Sequence, residues 1–95
     1  MNYDLDRTRI LWRQIAAVIA ARIADGTYAM EDRLPSVADI AAEWDVATAT
    51  AQKIVNKLRD ARIVRSEHGL GVFIEDGGPE IARTEPFGPL PRPSA

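Results

Sequence analysis

Ninety-five residues, 46% of them apolar and 27% charged, describe one domain with a modest core and no room for a second domain holding a ligand pocket. With no Cys there is no disulfide framework or thiolate metal site, and a single His cannot assemble a zinc centre, so neither metal nor cofactor is expected. The net charge of −2 runs against a nucleic-acid partner, because the phosphate backbone rewards clustered Lys and Arg through counterion release.

Met1 to Thr8 is polar and reads as an extended lead-in or loosely held arm. From Arg9, the positions Leu11, Ile15, Val18, Ile19, Arg22 and Ile23 form one stripe with Ala-rich filler between them, which predicts a first helix. Gly26 is suited to close that helix after Asp25 in a left-handed conformation. Trp12 lies one step off the stripe and reads as an edge-of-core or dimer-contact aromatic. The apolar run Ile15 to Ala21 is too short to span a bilayer, and no basic-then-apolar signal pattern opens the chain, so a cytoplasmic location is expected.

Thr27 to Leu34 reads as a loop with room for one brief strand. Ser36, followed three residues later by Asp39, predicts a capping box that starts a helix over Val37 to Trp44, with Val37, Ile40, Ala41 and Trp44 facing inward. Asp45 and Val46 form the turn into a helix over residues 46–60. Its inner stripe is Val46, Thr50, Ile54 and Leu58, widened by Val55, while Thr48, Ala49, Gln52, Lys53, Asn56 and Lys57 fall mainly on other sides. Ile63 to Glu67 and Val72 to Glu75 are β-prone runs around His68-Gly69-Leu70-Gly71, a hairpin signal. Five prolines from Pro79 to Pro93 break every pattern after Gly77, so the tail 77–95 is expected to be disordered or only locally docked. The fold class is α+β, mainly α: a three-helix winged helix-turn-helix over residues 9–76 with a C-terminal β-hairpin wing.

Two helices of this spacing offer the second to DNA. Residues 1–45 hold five Arg or Lys against eight Asp or Glu, whereas residues 46–74 hold five (Lys53, Lys57, Arg59, Arg62, Arg65) against two, so the charge changes sign where the reading helix begins. Candidate DNA contacts on that helix are Thr48, Ala49, Thr50, Gln52, Lys53 and Lys57, whose hydroxyls, methyls, amide and ammonium groups suit base edges and phosphates; a solvated surface helix would also look like this. Arg33 could reach the backbone or pair with Asp32 or Glu31. Ser36 reads first as a cap, although the N-terminus it closes can also hold a phosphate. Arg65 is a phosphate candidate or a solvent-facing strand residue in equal measure, and Gly69 is first a turn former whose bare backbone also allows close approach.

The chain resembles the DNA-binding domain of the GntR family of bacterial transcription regulators. The resemblance spans about residues 9 to 75 and rests on Leu11-Trp12-Arg13-Gln14-Ile15, Ile23-Ala24-Asp25-Gly26, Asp32-Arg33-Leu34-Pro35-Ser36, Ile40-Ala41, Val46, Leu58 and His68-Gly69-Leu70-Gly71-Val72-Phe73-Ile74. It implies a regulator, expected to be a repressor, that reads the major groove of double-stranded DNA with one helix per protomer and the minor groove with the wing, where His68 would lie. The operator is then expected to be palindromic. Members usually open the reading helix with a small hydroxyl residue, then Arg, Thr, Thr, with another Arg one turn later; here these positions are Ala47, Thr48, Ala49, Thr50 and Gln52. An Arg common in the preceding helix is Ala38, and the Gly usual before the hairpin is Arg62. With both reading arginines missing, Gln52 could pair with adenine and the Ala49 methyl could sit against thymine. No effector domain is visible beyond the tail, which implies a minimal regulator or a fragment, and a weak or DNA-dependent homodimer. No paired carboxylates beside a pocket, nucleophile elbow or phosphate loop supports an enzyme. The competing expectation is a winged-helix module that binds protein without specific DNA binding.

Overall fold

A computed structural model describes residues 3–94; the parts of the predicted arm and tail at Met1, Asn2 and Ala95 lie outside the described residues. Three helices, α1 (Leu11–Ala24), α2 (Val37–Trp44) and α3 (Thr48–Asp60), precede a hairpin of β2 (Val64–Glu67) and β3 (Gly71–Ile74). A short strand β1 (Tyr3–Asp4) leads into α1, and a one-turn helix α4 (Gly78–Ala82) and strand β4 (Arg92–Pro93) follow the hairpin. The winged helix-turn-helix predicted from the sequence is the observed architecture.

Several helix boundaries have a local chemical cause. α1 carries no side-chain cap of its own. Gln14 in its first turn, 3% exposed, instead bonds back to the lead-in: its Oε1 accepts from the Asp6 N–H at 2.7 Å and its Nε2 donates to the carbonyls of Asp6 at 2.9 Å and Ile10 at 3.2 Å. A buried amide with three bonds ties Asp6 of the lead-in to the start of the helix. At its other end, Thr27 N–H donates to Arg22 O and Gly26 N–H to Ile23 O, with Gly26 at φ 83°, the two-bond left-handed closure that glycine allows. α2 opens with the predicted capping box: Asp39 N–H donates to Ser36 Oγ at 3.1 Å and Ser36 N–H to Asp39 Oδ2 at 3.0 Å. The Ser36 bonds hold the Asp39 carboxyl below its ordinary pKa.

α2 closes on Asp45 in the left-handed region (φ 52°), and α3 begins at Thr48 rather than Val46, with Ala47 at the cap position and no side-chain bond there. The inner face of α3 is Ala51, Ile54, Val55 and Leu58, all buried, while Thr50 and Val46 are only half-buried. Ala51, fully buried, holds the first core position of the helix, and its missing side-chain volume lets α3 approach its neighbours closely. These residues meet Ile15, Val18, Ile19 and Ile23 of α1 and Ile40 and Trp44 of α2 in one core that Ile63, Val64 and Ile74 close from the wing side. The hairpin pairs Val64 with Ile74 and Glu67 with Gly71, and Leu34 N–H donates to Val72 O at 2.8 Å, so the loop before α2 adds one strand-like bond to the wing.

The segment after the hairpin, for which disorder and local docking were both open from the sequence, lies against α1 and β1. Ala82 and Phe87 are buried in the core, Phe87 packs edge-on against Trp12, and Arg13 donates to the Phe87 carbonyl. β4 then pairs antiparallel with β1, Tyr3 opposite Pro93. Prolines abolish periodicity but also restrict the free chain, so one buried aromatic and a few hydrogen bonds suffice to hold it.

Candidate nucleic-acid interface

With α1 and α2 covering the inner face of α3, its outer face is left to solvent: Thr48, Ala49, Gln52, Lys53 and Arg59 are exposed and Asn56 and Lys57 half-buried. The tail runs against α1 and β1 and leaves that face open.

The polar groups on this face are organised into a ladder. Gln52 Nε2 donates to Asn56 Oδ1 at 3.0 Å, Arg59 Nη2 donates to the same oxygen at 2.8 Å, and Arg59 Nη1 reaches Ser66 Oγ of β2 at 3.3 Å. The i,i+4 and i,i+3 spacings make these contacts possible, and Arg59 couples α3 to the wing. With Asn56 Oδ1 already accepting twice, its Nδ2 presents donors, while Gln52 keeps its carbonyl oxygen and one N–H for a ligand. Asn56 and Arg59, noted in the sequence on an outer side of the helix and in its cationic run, were not among the candidate DNA contacts. The signal for Arg59 was its place in the cationic run after Lys53; what it does emerges only from its bonds across to the hairpin.

The cations divide into two groups. Arg9 pairs with Asp6, Arg22 with Glu43, Arg83 with Glu80, and Arg65 with Glu67 at 2.8 Å and more loosely with Glu75. Burial disfavours the Arg22 charge, but the bonds to Glu43 and Tyr28 outweigh it and raise the pKa above the ordinary Arg value. Arg65 also donates to the Ile74 carbonyl at 2.6 Å and lies over the Phe73 ring, so this predicted contact is turned back onto its own hairpin. Lys53, Lys57 and Arg59 have no carboxylate partner among the described residues, and neither do Arg7, Arg13, Arg33, Arg62 and Arg92; what sets the first three apart is that they share one helix.

A groove between the wing and the start of α2 is lined by Arg33, Ser36, Asp39, Gly69, Leu70 and Gly71, bringing together three of the predicted residues: Arg33, Ser36 and Gly69. The alkyl stem of Arg33 lies where a Cβ on Gly71 (φ 123°) would fall, which requires glycine there on two counts. His68 and Gly69 (φ 76°) are exposed at the wing tip beside Leu70, 64% exposed. Among the described residues no three or more His, Asp or Glu side chains group to hold a metal ion, and no helix is long and apolar enough to cross a membrane.

The profile of the bacterial regulatory proteins of the gntR family matches residues 11–74, from the start of α1 to the end of β3. The chain belongs to the GntR family. What it carries is that family's winged helix-turn-helix DNA-binding domain, a regulatory rather than an enzymatic fold. A GntR family transcriptional regulator from Listeria monocytogenes superposes with a TM-score of 0.76 at 25% identity, covering 85% of this chain and 73% of that one. S. agalactiae BusR, solved in complex with its busAB-promotor DNA, superposes with a TM-score of 0.70 at 34% identity over 80% of this chain, which spans 36% of the BusR chain. A GntR-family protein from Bacteroides thetaiotaomicron gives a TM-score of 0.67 at 27% identity, covering 77% of this chain and 64% of that one. No curated protein matches the chain in sequence.

Against the GntR pattern, this chain lacks the arginines that usually open the reading helix, and its single α3 guanidinium, Arg59, stands at the opposite end beside the wing. The hydroxyl residue usual at the cap is Ala47, which leaves the first amides of α3 without a side-chain acceptor.

Proposed function

We propose that this GntR domain acts in the cytoplasm as a sequence-specific repressor, with α3 entering the major groove of a palindromic operator and the wing tip at His68 and Gly69 approaching the adjacent minor groove. The observation that carries the reading is the open outer face of α3, where Lys53, Lys57 and Arg59, without carboxylate partners among the described residues, flank the Gln52–Asn56 amides. The BusR relative, similar over four-fifths of this chain, is solved on promoter DNA, which supports the same use of the fold here.

In this reading the residues have different duties. Lys53, Lys57, Arg59 and Arg33 contact phosphates, and the Ser36-capped start of α2 holds one more. Gln52 and Asn56 read base edges, with Thr48 and Ala49 against a thymine methyl or a sugar and Thr50 at the margin of the contact. Arg65 braces the wing. Binding to two half-sites makes the dimer weak in solution and complete on DNA.

Fluorescence anisotropy with duplex fragments at two salt concentrations tests the reading. The expected result is binding that weakens steeply with salt and is competed poorly by unrelated duplex. Absence of binding up to high micromolar protein would remove it and favour a protein-binding module.

A further inference from the structure

Lys53 and Lys57 lie four residues apart on α3, a spacing at which two like charges repel, and neither has a carboxylate partner among the described residues. Both nevertheless converge on one ring. Lys53 Nζ lies 5.4 Å and Lys57 Nζ 5.1 Å from the ring centroid of Trp12 on α1. The negative face of an indole is the strongest aromatic attractor of an ammonium, so Trp12 offsets the repulsion and gathers the two charges. The ring has a further neighbour: Phe87 of the docked tail meets it edge-on at 6.3 Å, and Arg13, next to Trp12 in the chain, holds the Phe87 and Pro89 carbonyls.

We infer that Trp12 is a positioning residue that assembles Lys53 and Lys57 into a single clamp for one backbone phosphate, rather than two independent contacts. The inference rests on the DNA-binding reading above. Two ammonium groups held over one ring leave a local excess of positive charge that a phosphate oxygen placed between them relieves. The tail takes part indirectly, because its Phe87 sets the tilt of the ring.

A mutant cycle on a duplex DNA fragment that the wild-type protein binds, read by anisotropy across a salt series, tests this. If the clamp is one unit, Lys53→Ala and Lys57→Ala give non-additive losses, and the double variant lowers the salt slope by about one. Trp12→Leu then weakens binding about three- to fivefold, Trp12→Phe recovers part of that loss, and Trp12→Leu changes affinity less than about 1.5-fold when both lysines are already Ala. Thermal melts confirm that the Trp12 variants are folded at the assay temperature; if Trp12→Leu is not, Trp12→Phe against the lysine double variant carries the same comparison. Additive lysine losses with a slope change of about two, or a Trp12 effect that persists without the lysines, would overturn the clamp while leaving the DNA reading intact. A wild-type protein that does not bind duplex would instead remove the reading itself.

Discussion

Replacing Arg62 by Gly should stabilise the fold. α3 ends with Arg62 N–H donating to Arg59 O at 2.9 Å and Ile63 N–H to Leu58 O at 3.0 Å, the same closure that ends α1, and Ile63 is fully buried just beyond it. In α1 the left-handed residue is Gly26; here it is Arg62, at φ 63°. A side chain in that conformation costs about 1–2 kcal/mol relative to glycine, through the close approach of Cβ to the following carbonyl. Glycine returns about 0.5–1 kcal/mol of this through its greater freedom in the unfolded chain. Arg62 is exposed and makes no ion pair among the described residues, so little packing is lost with it. The net gain is therefore about 0.5–1 kcal/mol, a rise in Tm of roughly 2–8 °C for a domain of this size. Thermal and urea unfolding of Arg62→Gly beside Arg62→Ala checks it, because Ala keeps the Cβ and should gain nothing comparable. Equal stabilities for Gly and Ala, or a Gly variant below wild type, would refute the argument from backbone conformation.

Three further outcomes are expected. Ala47→Ser supplies the missing acceptor at the start of α3, whose cap residue is already extended (φ −64°, ψ 151°), and should raise stability by about 0.5–1 kcal/mol in urea titrations. Gln52→Ala should lose about 1–3 kcal/mol of binding at one A·T position of the half-site and much less elsewhere, measured on a panel of single-base variants; equal losses at every position would show that Gln52 reads no base. The Ser36 bonds depress the folded pKa of Asp39, so the stability it contributes is complete above the unfolded carboxyl value and is lost as pH falls through the lower folded value. Asp39→Asn should accordingly melt lower than wild type at neutral pH and lose less on acidification, seen as a flatter Tm profile in the acid range.

The parts of the fold that were legible in the sequence are those fixed by local chemistry. Ser36 and Asp39 announce α2 because a capping box needs only three residues of spacing, and Gly26 announces the end of α1 because few other residues take its backbone conformation. The start of α3 was less legible: Val46 continues the apolar spacing but lies in the turn, and Ala51, which carries the core position, has no distinct hydropathy against neighbouring alanines. Which residue anchors the tail could not be read, because Phe87 meets partners, Trp12 and Arg13, that lie more than 70 residues away, Arg13 by 74. The site was legible as a set of residue types and not as an arrangement. Sequence spacing puts Lys53 and Lys57 on an outer side of α3, but only the position of α1 shows that both converge on Trp12, and only the hairpin shows that Arg65 pairs at home while Arg59 bridges.

The acidic total and the cationic outer face of α3 are reconciled by where the acids are used. Asp6 accepts from the N–H and hydroxyl of Thr8, Asp25 does the same for Thr27, and Asp39 accepts from Ser36 N–H, so three carboxylates of the first half of the chain close turns and caps. In all three, the hydrogen bonds to Thr8, Thr27 and Ser36 hold the pKa below the ordinary Asp value, which keeps the charge where the backbone needs it. Glu43, Glu67 and Glu80 are matched to arginines. α3 contains one acid, Asp60, at its last residue, so the field along its exposed face is set by Lys53, Lys57 and Arg59 at short range. At physiological salt the Debye length is about 8 Å, which screens carboxylates on distant turns far more than the phosphates in direct contact. Net charge therefore governs the long-range encounter with DNA, which should be slow for this chain, while the affinity of the bound state depends on a few unneutralised cations beside the groove.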